Sequence, residues 1–175
     1  WKLANSDSGN WWVEGGLLSG VGYVWAEYRQ AEWGKGQHSL EFDLVQLDVR
    51  NGLHVNIQHS DTGRYLVGFR RINADLLYIY IERNIWNAPS EPLATNEKQP
   101  AIYLGDGKYR AQTDFGGGKT TVYRTKDGQE VFARLPVLTA QDPKPLPTGG
   151  FSFENLEKAL VSVDNVAVYG PQPVQ

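Results

Sequence analysis

A two-residue alternation of apolar and polar side chains is the feature that most constrains the fold of this chain. It is clearest over Leu53–Ile57, Tyr65–Phe69 and Leu77–Ile81, where every second residue is apolar. A period of two predicts half-buried β-strands. The intervening segments, Ser60–Gly63 and Arg71–Asp75, are short and built from residues that suit hairpin turns. We therefore predict three consecutive antiparallel strands.

The rest of the chain is also strand-like. We predict further strands over Trp11–Glu14, Tyr23–Glu27, Ser39–Val49, Tyr109–Asp114, Thr120–Arg124, Gln129–Leu135, Gly150–Glu154 and Val161–Tyr169. Helix-forming residues gather only over Glu154–Leu160, which is too short for a typical helix and is interpreted as a turn. With 19 glycines and 9 prolines between short strands, the pattern predicts an all-β sandwich of two antiparallel sheets, best matched by a jelly roll.

Two departures from the simple alternation carry further predictions. Asn84–Leu104 and Thr139–Gly149 contain proline and lack a clean alternation, so we expect long surface loops there. Two strands change phase, one at Leu44–Val45 and the other at Asp164–Asn165. One inserted residue in a ladder produces such a change, so we predict a β-bulge at each place.

Length and composition describe the molecule coarsely. A chain of 175 residues with 41% hydrophobic and 21% charged residues is typical of one globular domain, which we place at residues 1–170. Residues 171–175 are proline-rich and are expected to begin a linker or tail. Methionine is absent, even at position 1, so we expect the chain to be part of a longer protein with neighbouring domains.

The charge and the absence of cysteine argue against several classes of function. The net charge is −3 and the 17 lysines and arginines are scattered along the chain, which disfavours nucleic acid as a partner and insertion into a membrane. Without cysteine there can be no disulfide framework, thiolate nucleophile or cysteine-ligated metal.

Four segments carry a resemblance to a known superfamily. They are Asn10–Leu18, Gly36–Leu44, Gly63–Phe69 and the closing strand pair, Gly149–Asn155 with Val161–Val168. In this order they resemble the concanavalin A-like jelly-roll superfamily, in particular the carbohydrate-binding and laminin-G-like modules of extracellular bacterial proteins. The resemblance implies a concanavalin A-like jelly roll, lectin-like glycan binding and a secreted or cell-surface location. It also implies that Asp164 could ligate a structural calcium ion; no other cofactor is expected.

A candidate ligand-binding surface follows from the same three strands. Sugars are bound by aromatic rings and by polar side chains that fix the hydroxyl groups. If the strands are neighbours, one face carries His54, Asn56, Gln58, Arg64, Arg70, Tyr78, Tyr80 and Glu82, with Trp25, Trp33 and Trp86 in or beside loops. We predict that this set binds a poly- or oligosaccharide.

An enzyme is the main alternative. Glu41–Gln46 resembles the E-x-D-x-x-E strand of laminarinase-like glycoside hydrolases, but Gln46 stands where that motif has its general acid, and glutamine cannot donate the required proton. We interpret Glu41 and Asp43 as the exposed side of a half-buried strand. The opening motif is also similar to that of 3-keto-disaccharide hydrolases. We predict no catalytic residue and favour a non-catalytic binding module, with a glycoside hydrolase or a structural, adhesive β-sandwich as alternatives.

Overall fold

Most of the described residues lie in β-strands. The computed structural model describes residues 1–28, 36–98, 101–102, 107–115, 118–125, 137–147 and 149–170. These residues contain no helix and sixteen strands: β1 (Lys2–Leu3), β2 (Asn5–Ser6), β3 (Gly9–Glu14), β4 (Leu17–Gly22), β5 (Trp25–Tyr28), β6 (Gly36–Leu47), β7 (Gly52–His59), β8 (Gly63–Arg71), β9 (Leu76–Ile85), β10 (Glu91–Thr95), β11 (Ala101–Ile102), β12 (Gly107–Phe115), β13 (Lys119–Arg124), β14 (Leu138–Gln141), β15 (Gly150–Asn155) and β16 (Val161–Tyr169). No helix that could cross a bilayer occurs in this part of the chain.

The strands form two sheets in which every pairing is antiparallel. Sheet A has the order β1-β5-β15-β7-β8-β9-β10, and β11 also pairs with β9. Sheet B has the order β14-β13-β12-β6-β16-β4-β3-β2. The predicted two-sheet antiparallel sandwich is confirmed.

The inner faces of the two sheets form one hydrophobic core. Phe42 of sheet B is fully buried and makes edge-on contacts with Phe69 and Phe153 of sheet A, at ring-centroid distances of 5.6 and 5.5 Å. Tyr109, also of sheet B, stacks on Phe42 at a ring-centroid distance of 5.9 Å. The inward residues of β7, β8 and β9 are all packed in this core. The residues that alternate with them along each strand must therefore point away from it.

The strands predicted from alternation are confirmed where they can be compared. Leu53–Ile57, Tyr65–Phe69 and Leu77–Ile81 lie within β7, β8 and β9, and Val161–Tyr169 is β16. The prediction of two long loops was wrong in part. Asn84–Leu104 contains β10 and β11, and Thr139–Gly149 contains most of β14. The short strands β1 and β2, and also β4, were missed. The predicted strand over 129–135 and the tail at 171–175 lie outside the described residues.

Both predicted bulges are confirmed in the pairing of β6 with β16. Ser162 pairs with Gln46 and Val163 pairs with Leu44, so Val45 is the extra residue. The second irregularity falls between Asp164 and Ala167, where Asn165 adopts a left-handed backbone with φ of 48°. Asparagine tolerates this conformation better than most residues do.

Candidate functional site

The outer face of sheet A brings the predicted surface together. The register places Glu154, His54, Gly68 and Tyr80 in one row across β15, β7, β8 and β9. Side chains that share this outward direction or contact the row define what we call the polar-aromatic face: Trp25, His54, Asn56, Arg64, Tyr78, Tyr80, Glu82, Trp86, Ser152 and Glu154.

Glu154 is the centre of a hydrogen-bonded cluster on this face. Its Oε2 accepts a hydrogen bond of 2.7 Å from Arg64 Nη1 and lies 2.9 Å from His54 Nδ1. The side chains of Glu154 and Arg64 are only 15% and 9% exposed, so the ion pair is largely shielded from water. Charge-assisted hydrogen bonds in such a setting are strong and directional.

Arg64 extends the cluster to neighbouring strands. Its Nη1 also donates to Asn56 Oδ1 at 3.1 Å, and its Nε donates to Asn84 Oδ1 at 3.3 Å. The Asn56 amide in turn donates to Ser152 Oγ at 3.0 Å, and His59 Nδ1 lies 2.8 Å from the same hydroxyl. The polar groups at the base of the face are therefore held in fixed orientations before any ligand arrives.

The protonation states of His54 and Glu154 follow from their surroundings. Burial lowers the pKa of His54 and outweighs the hydrogen bond and negative charge of Glu154, which raise it. Burial alone would raise the pKa of Glu154, but the hydrogen bond from His54 and the charge of Arg64 outweigh it and lower that pKa. At neutral pH the pair therefore consists of a neutral imidazole and an ionised carboxylate.

These states assign the hydrogen bonds around His54. Nδ1–H donates to the Glu154 carboxylate, so the unprotonated Nε2 accepts from the Tyr80 hydroxyl, 2.6 Å away. Burial raises the pKa of Tyr80 above its ordinary value of 10.0, which keeps the phenol protonated and able to donate. Glu154, His54 and Tyr80 thus form a continuous hydrogen-bonded chain.

Gly68 makes room for this chain. It lies between His54 and Tyr80 in the row, and a Cβ at this position would be 2.0 Å from Tyr80 Cζ. Without a side chain there, the Tyr80 ring crosses the β8 backbone and reaches His54. Tyr78 stacks against Tyr80 with a centroid distance of 5.0 Å and an interplanar angle of 30°.

Two tryptophans border the other end of the face. The Trp25 and Trp86 rings meet edge to face at 6.1 Å, and the His59 ring lies 5.1 and 5.4 Å from them. The Arg64 guanidinium carbon is 4.5 Å from the Trp25 ring centroid and 5.3 Å from that of Trp86, within cation-π range. Trp86 Nε1 donates to the Ser60 carbonyl at 2.7 Å, which fixes its ring.

Not all predicted ligand-binding residues lie on this face. Arg70 does lie on this side of β8, one row beyond Tyr80 and in the same row as Gly52 and Tyr78. Gln58 has a φ of 52°, is 2% exposed, and its Oε1 has no hydrogen-bond partner among the described residues. It sits where β7 and β15 lose register, and His59 makes the contact with Ser152 that alternation would give to Gln58. Trp33 lies outside the described residues.

Glu154 and Ser152 were missed as candidates. The alternation of β15 already indicates them, because Phe151 and Phe153 point into the core and leave Ser152 and Glu154 pointing out. What the sequence lacks is any local sign that β15 pairs with β7, about a hundred residues earlier in the chain.

The strand that resembles a laminarinase motif lies in sheet B. Glu41 is 9% exposed and accepts hydrogen bonds from the Arg110 guanidinium, one of them 2.6 Å long. It is therefore buried against a cation, and the interpretation of Glu41 as an exposed residue was wrong. Asp43 accepts a hydrogen bond from the Asn165 amide and faces Lys108. The charge of Glu41 is balanced by the Arg110 guanidinium, an arrangement that does not suit a catalytic carboxylate.

Asp164 lies at the second bulge of sheet B. Its register partner is Asp43, and its Oδ1 accepts a hydrogen bond from the Asn165 backbone at 2.7 Å. Calcium takes six to eight oxygen ligands, yet the described residues include no group of three or more His, Cys, Asp and Glu side chains that could hold a metal. A calcium ion at Asp164 stays a prediction.

Comparison with known proteins identifies the fold. No family model matches the chain, and no curated protein matches it. Among solved structures, it is similar to the carbohydrate-binding module CBM66 from Bacillus subtilis, with 15% identity, a TM-score of 0.54, and coverage of 97% of this chain and 91% of that one.

Two further solved structures have comparable scores. CG-16, a homodimeric agglutinin from chicken liver, has 10% identity and a TM-score of 0.54, with 83% of this chain and 100% of that one covered. An engineered GH43 glycoside hydrolase has 14% identity and a TM-score of 0.57; the match covers 88% of this chain but 35% of the hydrolase. At such identities the similarity concerns architecture, and the chain has the concanavalin A-like jelly-roll fold that its sequence resembles.

Proposed function

We propose that this chain is a non-catalytic carbohydrate-binding module that binds a glycan on the polar-aromatic face. The observation that carries the proposal is the fixed cluster of Glu154, Arg64, His54 and Asn56 on the outside of a sheet. A sheet needs no such cluster on its solvent side for stability, because solvated polar residues would serve equally well. Charged groups held at low exposure are more typical of a binding site.

The chemistry of the face suits sugar rings. The C–H side of a pyranose packs against aromatic rings, and its hydroxyls need donors and acceptors in fixed positions. Tyr78, Tyr80, Trp25 and Trp86 supply the rings. The Glu154 carboxylate accepts hydrogen bonds, while the guanidinium of Arg64 donates them.

Preorganisation favours binding at this face. Each polar side chain in the cluster is already held by at least one protein hydrogen bond, so little side-chain entropy remains to be lost when a sugar binds. The names of two similar structures, a carbohydrate-binding module and an agglutinin, are consistent with the proposal.

The electrostatics support binding more than hydrolysis. Retaining hydrolysis requires one carboxyl that is protonated and able to donate. Glu154 has a lowered pKa because of His54 and Arg64, in spite of its burial, and Glu41 is occupied by Arg110. We also propose a secreted or cell-surface location, where extended glycans are accessible and where the module would hold neighbouring domains on them.

A binding panel with a product assay tests the proposal. The full chain is applied to immobilised neutral and acidic polysaccharides, and the supernatant is assayed for reducing sugar. Saturable binding without product supports a binding module. Product release that survives repeated purification would instead favour a hydrolase, and absence of binding across the panel would favour a structural or adhesive β-sandwich.

A further inference from the structure

The polar-aromatic face continues into an open cleft at the end of sheet A. The cleft has a volume of about 530 Å³ and is lined by Val49, Arg50, Asn51, Arg70, Glu157, Lys158 and Ala159. Arg70 pairs across the sheet with Gly52 and Tyr78, so it stands one row beyond Tyr80. We call this space the cationic cleft.

The cleft concentrates positive charge in a chain whose net charge is −3. Three of its side chains are cations and one, Glu157, is a carboxylate that accepts a hydrogen bond from Tyr23. Arg50, Arg70 and Lys158 are all exposed and have no ion pair or side-chain hydrogen bond with another described residue.

Among the described residues, arginines without a partner are the minority. The other arginines of the described ranges each have a partner: Arg64, Arg71, Arg83, Arg110 and Arg124. Within those ranges, the two that lack one, Arg50 and Arg70, line the same cleft. Two free guanidinium groups beside a lysine suit an anion, because guanidinium groups bind carboxylate and sulfate oxygens in pairs of hydrogen bonds.

The backbone at Arg50 provides an independent observation. Arg50 has a φ of 68°, a conformation that a long L side chain adopts at an energetic cost. The turn is held by the Asn51 N–H, which donates to the Asp48 carbonyl at 2.9 Å, and by the Asn51 amide, which donates to the Ala159 carbonyl at 3.2 Å. Glycine would fit this position better, yet the chain keeps an arginine whose side chain lines the cleft.

The cleft and the tryptophan pair lie at opposite ends of one surface. Arg64 and Arg70 are six residues apart on β8 and point to the same side, which separates them by about 20 Å at about 3.4 Å per residue. His54 and Tyr80 lie in the row of Gly68, between the two arginines, and Tyr78 lies beside Arg70. A short stretch of glycan could therefore contact the tryptophans and the cleft at the same time.

Building on the proposed function, we propose that the glycan is acidic and that the cationic cleft binds its carboxylate or sulfate groups. The neutral parts of the sugar lie on the polar-aromatic face, and the anionic substituent lies between Arg50, Arg70 and Lys158. Uronic acids and sulfated sugars share the required chemistry, and the probes below distinguish them.

The test compares matched acidic and neutral glycans. The full chain is titrated with polygalacturonate, its carboxyl-reduced form, a sulfated galactan and its desulfated form, at low and high salt. We expect an acidic form to bind about tenfold more tightly than its neutral partner at low salt, and the gain to shrink at high salt. A gain confined to one acidic probe identifies the substituent as carboxylate or sulfate.

A double variant locates the effect in the cleft. Arg50→Gly with Lys158→Gln removes two positive charges, and glycine at a φ of 68° should fold without loss of stability. The control, Lys119→Gln with Lys144→Gln, removes two charges from exposed positions elsewhere. The tighter binding of the acidic form over its neutral partner should vanish in the first variant and persist in the control.

The outcomes separate this inference from the proposed function. Equal affinity for acidic and neutral forms, with binding that still depends on the polar-aromatic face, would overturn the inference and leave the proposed function standing. Equal losses in the two double variants would also overturn it, because a general charge effect would then explain the preference. Failure of every acidic and neutral probe to bind would overturn both.

Discussion

Replacement of Gly68 by alanine tests the geometry at the centre of the polar-aromatic face. The new Cβ would lie 2.0 Å from Tyr80 Cζ and 2.3 Å from Tyr80 Cε1, whereas ordinary contact begins at 3.4 Å. The Tyr80 ring must therefore move by about 1.4 Å or more to reach van der Waals contact. Such a movement stretches its 2.6 Å hydrogen bond to His54.

The cost of this change can be estimated. Overpacking costs about 1–3 kcal/mol, and loss of a hydrogen bond adds about 1 kcal/mol. Because Tyr80 is only partly buried, its ring has room to move. We therefore expect a total loss of about 2 kcal/mol in the free energy of unfolding. For a chain of this size that lowers Tm by about 4–8 °C. Glycan affinity should fall as well, because the displaced Tyr80 ring would obstruct the polar-aromatic face.

A double-mutant cycle with Tyr80→Ala makes the reasoning refutable. Once the ring is gone, the alanine at position 68 has space, and alanine is favoured over glycine within a strand by about 0.5–1 kcal/mol. Gly68→Ala should therefore destabilise the wild-type chain and stabilise the Tyr80→Ala variant, as measured by thermal unfolding. The same destabilisation in both backgrounds would show that Tyr80 does not lie over Gly68.

Three further predictions concern charge. The pKa of His54 is lowered from 6.5 and that of Glu154 from 4.5, so the unfolded chain binds more protons than the folded chain. The free energy of unfolding should therefore fall as pH drops below about 6.5. A Tm that is flat from pH 7.5 to pH 4 would contradict this. Glu154→Leu leaves Arg64 and His54 without their carboxylate and should cost about 2–3 kcal/mol by denaturant unfolding, whereas Glu91→Leu breaks the more exposed pair with Arg83 and should cost less than about 1 kcal/mol. If calcium binds at Asp164, its addition to chelator-treated protein should raise Tm, and Asp164→Asn should abolish the rise; an unchanged Tm would refute the calcium prediction.

The sequence predicted the sheet and much of the face for one physical reason. Alternation with period two decides both which residues are buried and which share the opposite side. Leu53, Val55 and Ile57 are fully buried, so His54 and Asn56 had to point outward. Short loops then made β7, β8 and β9 neighbours, because hairpin connections leave little choice of partner.

Three features of the site could not be predicted in this way. The position of Glu154 depends on the pairing of β15 with β5 and β7, a long-range contact that leaves no local pattern. Gln58 was placed on the face by alternation, but the register shift opposite Gly150 interrupts that alternation. Gly68 was also overlooked, since its role depends on the ring of Tyr80 in the next strand.

The short edge strands were harder still. β1, β2 and β11 have two residues each, and two residues cannot display a period. The pairing of β10 with β9 contains a register shift between Pro92 and Ala94, and proline in a strand argues against a strand when only the sequence is read.

Glycan affinity of matched tyrosine variants tests the central claim most directly. Tyr78→Ala removes a ring from the polar-aromatic face, and Tyr169→Ala removes an exposed tyrosine from sheet B. With the tightest glycan of the panel, calorimetric titration should show a loss of about tenfold for Tyr78→Ala. Tyr169→Ala should bind like the wild type, and both variants should keep a cooperative thermal transition. Wild-type affinity in Tyr78→Ala, or an equal loss in Tyr169→Ala, would contradict the assignment of glycan binding to the outer face of sheet A.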